Sequence, residues 1–256
     1  MKKAMFTSVL LLLAGLLAAG CAADKRTRIR QGEASRNLGE AFMQEGNYTA
    51  ALKELLRAEE LNADDPYLQN DLGLTYMAKE RHDLAIRHFK KAIQADPDYA
   101  PAQNNLGTAY LAKGDWDAAI ATLSRLTQDL LYATPHFPLT NLGFAYFQKK
   151  DYESAERYYE EALDLQPRYI IALRGLGRTY LAQRRIPQAI ETLEKASELA
   201  PRFPDLYMDL ARAYAAAAND EAALDAYRKV MALAPDSDLA DEAKRAAGSL
   251  TLTPGQ

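Results

Sequence analysis

The hexapeptide Asn141-Leu142-Gly143-Phe144-Ala145-Tyr146 decides how the rest of this chain is read. Its Leu-Gly pair recurs at Leu38-Gly39, Leu72-Gly73, Leu106-Gly107 and Leu176-Gly177, with Leu210-Ala211 as a sixth copy. The copies stand 34, 34, 36, 34 and 34 residues apart. Four residues after each Leu comes an aromatic: Phe42, Tyr76, Tyr110, Tyr146, Tyr180 and Tyr214. Thirteen after each Leu comes an alanine: Ala51, Ala85, Ala119, Ala155, Ala189 and Ala223. Proline closes most copies, at Pro97, Pro167, Pro201 and Pro235. A fixed period of this size outranks local propensity, because each copy is one supersecondary unit that buries its apolar face only against its neighbours.

The spacing has a physical reason. A Leu and an aromatic four apart lie on one face of a first helix. The Gly after the Leu, and the Ala thirteen beyond it, remove side chains where two paired helices cross. Ala58, Ala92, Ala162 and Ala196 repeat the device where a second helix meets its neighbour. Gly46-Asn47 and Gly114-Asp115 are turn residues between the two helices. The pattern resembles the tetratricopeptide (TPR) repeat, a 34-residue helix–turn–helix unit. Phasing on Leu-Gly gives six repeats, 32–65, 66–99, 100–135, 136–169, 170–203 and 204–237. The resemblance implies an all-α fold, a right-handed TPR superhelix (solenoid) with a concave inner surface. A bulky residue at Gly143 is expected to unstack the fourth pair. Asp238 to Leu250, with Ala240, Ala243, Ala246 and Ala247, reads as a helix that caps the last repeat within residues 238–256.

The segment before the repeats has a different character. Met1-Lys2-Lys3 is followed by no charged residue until Asp24, and Met5 to Leu17 is rich in Leu, Val, Phe and Ala. A positive start, an apolar run and small residues after it describe a secretory signal, here residues 1–20. Ala18-Ala19-Gly20 precede the single cysteine, Cys21. This arrangement resembles the lipobox of bacterial lipoproteins, with Ala18 where that motif usually has Leu. The resemblance implies that Cys21 is the lipidation site and the chain's attachment to the membrane. Ala22 follows the cysteine, where an inner-membrane retention signal has Asp, so the implied address is the periplasmic face of the outer membrane. Two other readings stay open: an uncleaved apolar anchor over Ala4 to Ala23, and a plain signal peptide with a free cysteine. Residues 21–31, with Lys25, Arg26, Arg28 and Arg30, read as a solvated tether or as a basic strip against anionic lipid.

Composition and chemistry narrow the function. Lys plus Arg is 31 against 35 Asp plus Glu, a balance that argues against a nucleic-acid partner. One cysteine allows neither an internal disulfide nor a cysteine-based zinc site, and His82, His88 and His136 leave little for a metal or a catalytic triad. No phosphate loop or convergent acid–base set is legible, so neither an enzyme nor a cofactor nor a small-molecule substrate is expected. Trp116 stands in the turn slot that Tyr48 and Tyr152 fill elsewhere, which suggests packing.

Protein partners are the remaining class. On a TPR first helix, places two, five, six, nine, twelve and thirteen face the groove. Among these stand Tyr67, Asn70 and Asp71, then Asn104, Asn105 and Thr108, then Phe137, Thr140, Asn141 and Phe144. Arg174, Arg178, Asp209 and Arg212 continue the series. Asparagine amides donate and accept at once, which suits the backbone of an extended peptide. Arg174 and Arg178, four apart, suit an acidic side chain or a C-terminal carboxylate. The third repeat is two residues longer and has Leu126 in place of a small residue. It ends in Gln128-Asp129-Leu130-Leu131-Tyr132, and Phe137-x-x-x-Asn141-Leu142-Gly143 follows. With the lipobox and six repeats, this resembles the type IV pilus pilotin family (PilF/PilW). The resemblance implies a factor that assists assembly of a secretin ring in the outer membrane. An adaptor that recruits cell-wall enzymes or stabilises another envelope complex is the alternative.

Overall fold

Asn47, Asp115, Asp151 and Asn219 occupy the same place in four repeats, and each turns its side chain into the start of a second helix. Their carboxylate or amide oxygens accept from the backbone N–H three residues on, at Ala50, Ala118, Ser154 and Ala222. This satisfies a donor that the first helical turn leaves free. One residue before this place, in all six repeats, sits a residue with positive φ: Gly46, Glu80, Gly114, Lys150, Arg184 and Ala218. The turn requires the left-handed conformation, and only two repeats meet it with glycine, which adopts it without a steric cost.

A computed structural model describes residues 25–127 and 134–251. Among the described residues there are helices and no strand. Contacts divide the chain into two units, 1–113 and 114–256. The first holds α1 (residues 25–44), α2 (Tyr48–Leu61), α3 (Pro66–Ala78), α4 (His82–Ala95) and α5 (Ala100–Lys113). The second holds α6 (Trp116–Leu126), α7 (His136–Gln148), α8 (Tyr152–Leu165), α9 (Ile170–Ala182), α10 (Ile186–Leu199), α11 (Pro204–Ala216), α12 (Asp220–Leu233) and α13 (Asp238–Thr251). The fold is the all-α TPR arrangement. Cys21 and the segment Gln128 to Tyr132 lie outside the described residues.

In four hairpins the repeat's glycine receives the large residue sixteen places later. A Cβ on Gly73 would lie 2.4 Å from the Phe89 ring, and one on Gly143 would lie 2.8 Å from Tyr159. Gly39 and Gly177 stand in the same way against Leu55 and Leu193, at 2.7 and 2.6 Å. A side chain at any of these glycines would push the two helices apart. The six alanines thirteen after each Leu are fully buried, as are Ala58, Ala92, Ala162 and Ala196. Leu126 is buried too, at 1% exposure.

Between hairpins, the second helix of one repeat packs on the first helix of the next. In the first unit Leu55 and Ala58 of α2 share a core with Leu68 and Leu72 of α3. In the second unit α7 touches α9, α9 touches α11, and α11 touches α13, so first helices lie side by side. There α13 packs along α12, with Ala243 fully buried in a cluster that includes Tyr227 and Val230. Its Asp241, Lys244 and Arg245 are exposed.

The basic stretch before the repeats is structured differently from the tether expected. Residues 25–31 are helical and run without a break into the rest of α1. Lys and Arg are good helix formers. Ile29 is half-buried, and the Arg28 guanidinium donates to the Glu60 carbonyl at 3.1 Å, in the last turn of α2.

Candidate partner-binding surface

The first helices of each unit carry the residues read as groove-facing, and the two units present different chemistry. On the first unit the surface is built from amides and tyrosines. Asn70, buried at 5%, accepts from the Asn105 Nδ2 at 2.8 Å, linking α3 to α5. Asn104 is half-buried, and its Oδ1 has no hydrogen-bond partner among the described residues. Asp71 Oδ2 is buried and unpartnered in the same way. Burial of Asp71, reinforced by the Glu40 carboxylate beside it, pushes its pKa up to about 7; Arg36 acts in the opposite direction. Arg36 is held by Glu40 at 3.1 Å and Asp65 at 2.9 Å. Tyr67 is 51% exposed, with its ring edge-on to Tyr99 at 5.0 Å and the Arg36 guanidinium 5.6 Å from its centre.

On the second unit the surface is built on one buried carboxylate. Asp209, whose side chain is 3% exposed, accepts from Arg174 Nε at 2.6 Å. Arg212 approaches it at 3.4 Å and Arg178 Nε at 3.9 Å. Arg174 also holds Asp205 at 3.1 Å, and Arg212 holds Glu242 of α13 at 2.6 Å. The arginines are further braced by rings, Arg174 over Phe203 at 5.4 Å and Arg178 over Phe147 at 4.9 Å. Phe144 is half-buried and meets Trp116 edge-on at 6.0 Å, so Trp116 packs under this face. Phe137 is 40% exposed, against His136 and Tyr169. The Thr140 hydroxyl is turned inward, donating to the His136 carbonyl at 2.7 Å. Asn141 is half-buried and also has a partner.

The chemistry available differs accordingly. Arg174 is committed to two aspartates, whereas Arg178 approaches Asp209 through Nε and keeps its terminal fork for a carboxylate. On the first unit the exposed group is the Tyr67 ring, whereas Asp71 Oδ2 and Asn104 Oδ1 are buried beneath the surface.

Both cross-helix links join residues 35 apart, Asn70 to Asn105 and Arg174 to Asp209. That number is the repeat length plus one, so the fifth place of one repeat meets the sixth of the next. The sequence therefore held the signal, although the individual pairs were not read from it. A second network was also missed. Gln69, buried at 1%, donates to Glu59 at 3.0 Å and to the Ala63 carbonyl at 2.8 Å, and its Oε1 lies 2.7 Å from His88 Nδ1. Burial holds the His88 pKa below its ordinary value, and the ring stacks on Tyr76 at 5.2 Å. His88 is thus a core residue.

Stacked helical hairpins with small residues at the crossings and polar first-helix faces define a TPR scaffold. Four tetratricopeptide-repeat family models match, over residues 39–79, 76–130, 137–202 and 174–238. The chain is a tetratricopeptide-repeat protein. The sequence finds no match among curated proteins. Among solved structures it is similar to PilW, a widely conserved type IV pilus biogenesis factor, at 20% identity and a TM-score of 0.76, covering 82% of this chain and 97% of PilW. It is similar to pilF of Pseudomonas aeruginosa at 20% identity and a TM-score of 0.72, covering 86% of this chain and 99% of that one. YrrB, a TPR protein with an unusual peptide-binding site, matches at 20% identity and a TM-score of 0.54, covering 75% of this chain and 97% of YrrB.

Proposed function

We propose that this chain is a TPR scaffold of the periplasm, anchored in the outer membrane through a lipid on Cys21, and that it assists secretin assembly as a pilotin-like factor in type IV pilus biogenesis. The observation that carries the reading is extent. The likeness to PilW covers 82% of this chain and 97% of PilW. The lipobox-like Ala18-Ala19-Gly20-Cys21 supports the address. The partner surface in this reading is the first-helix face of each unit. Tyr67, Asn70, Asn104 and Asn105 take an extended backbone on the first unit. Asn141, Phe144, Arg174 and Arg178 take an apolar and an acidic side chain on the second, with Arg174 holding its aspartates and Arg178 meeting the partner's carboxylate.

The test is an immunoblot of SDS-resistant secretin multimers in outer membranes, with and without the gene. The expected result is loss of multimers in the deletion while secretin monomers persist. Unchanged multimers would remove the pilotin role and favour a lipoprotein adaptor for cell-wall enzymes. Cys21→Ser should release the chain from the membrane fraction; retention there would mean an uncleaved anchor instead.

A further inference from the structure

The first repeat leaves open a surface that later repeats cover. Ala34, Leu38 and Ala41 of α1 are exposed, Leu38 to 46%. α5 carries the same three residue types at the same places, Ala102, Leu106 and Ala109, exposed to 0, 7 and 0%. The corresponding places of α3, α7, α9 and α11 are buried as well. What covers α5 is a helix: Leu106 and Ala109 share a core with Ile86 and Phe89 of α4. A four-residue turn joins α4 to α5, so the covering helix runs antiparallel to the helix it covers.

The overhang of α1 adds charge to this surface. Arg26, Arg30, Ala34 and Leu38 fall four apart, hence on one stripe of the helix. Arg26 and Arg30 are exposed. A helix lying on Ala34, Leu38 and Ala41 antiparallel to α1 would bring its C-terminal turn beside these arginines, where cations favour the helix dipole and any acidic residue on it. The neighbouring turn already shows the chemistry, since Arg28 donates to the Glu60 carbonyl at the end of α2.

We propose that this open end docks an α-helix of a protein partner, antiparallel to α1, with an apolar face on Ala34, Leu38 and Ala41 and an acidic last turn against Arg26 and Arg30. The inference rests on the reading of the chain as a scaffold for protein partners, and it adds a site outside the first-helix faces. Among the described residues no helix lies on this place. With Cys21 as the mature start, four residues precede α1 and reach about 14 Å, whereas Leu38 lies about 20 Å along the helix from its start. A second copy stacked in sequence has no spare second helix to offer, because α13 covers α12.

The probe is a hydrocarbon-stapled peptide with the α4 sequence, residues 82–95, and a version of it with Lys91→Glu and Gln94→Glu. Each is titrated by fluorescence anisotropy against the full mature chain carrying Cys21→Ser. The acidic version is expected to bind more tightly. Leu38→Glu should weaken it by about tenfold or more without moving the melting temperature. Arg26→Glu with Arg30→Glu should cost the acidic peptide about tenfold at low salt and the parent peptide little, and the difference should vanish near 0.5 M salt. Absence of saturable binding up to about 1 mM, or binding that Leu38→Glu leaves intact, would overturn the proposal. So would sedimentation with phosphatidylethanolamine–phosphatidylglycerol vesicles that Leu38→Glu abolishes, which would assign the surface to lipid, or dimerisation that Leu38→Glu abolishes, which would assign it to a second copy. Failure of the peptide with secretin multimers still dependent on the gene would sink the docking site alone. Binding of the peptide with multimers independent of the gene would sink the pilotin reading alone.

Discussion

The two ends of the repeat array are made of the same parts and finished differently. At the last repeat α13 lays Ala243, Leu239 and Leu250 over the hairpin and turns Asp241, Lys244 and Arg245 to solvent. At the first repeat Leu38 stands 46% exposed, while Leu210, its counterpart in the last repeat, is 3% exposed. Among the described residues α1 extends backward in a basic overhang where the last repeat has a cap. The difference teaches that burial in a repeat protein belongs to the neighbour as much as to the residue. Among the described residues one end finishes in an apolar stripe and the other in charge.

The largest expected effect converts the closed end into an open one. Ending the chain at Ser237 removes α13 and uncovers the face of α12. Stability of the second unit should fall by on the order of 3–5 kcal/mol, and circular dichroism should lose more helix than the 14 residues of α13. Loss confined to those residues would mean that α13 caps nothing.

Next in size is Asp209→Ala, which strips the carboxylate that gathers Arg174, Arg178 and Arg212. The arginines are partly exposed, so the cost should fall below that of a fully buried pair, at about 2–3 kcal/mol in a denaturant titration. An unchanged midpoint would reduce the cluster to surface decoration.

A smaller effect separates the first unit by pH. The Asp71 pKa is raised in the folded chain, to about 7, by burial and by Glu40. A raised acid pKa means that the folded state holds its proton more tightly than the unfolded one. The favourable contribution is therefore present at low pH and lost as pH climbs from about 4 through 7. The first unit should be less stable at pH 8 than at pH 5.5 by on the order of 1–2 kcal/mol, and Asp71→Asn should remove the dependence. A slope of the opposite sign would place the proton elsewhere.

The repeat itself was fully legible from sequence, because small residues at helix crossings cannot be varied freely. Gly73 and Gly143 stand against Phe89 and Tyr159 at distances that admit no side chain. The overhang was not legible: Lys25 to Arg30 has no apolar stripe, and a charge run reads as solvated chain until the Arg28 bond to Glu60 is seen. The first-helix polar places were legible as a set, but their pairing was not. That Arg174 is spoken for depends on Asp209 and Asp205, one repeat further along the chain. That Leu38 stands uncovered among the described residues depends on what neighbours it in space, which no local pattern records.

The most direct test compares the open and covered copies of one motif within one unit. Denaturant midpoints would be measured for Leu38→Ala and Leu106→Ala, each leucine flanked by the same alanines, Ala34 and Ala41 or Ala102 and Ala109. The covered Leu106 should cost about 2–4 kcal/mol and the open Leu38 less than about 1. Equal costs would contradict the account, because Leu38 would then be covered in solution and the first repeat would not be an open end.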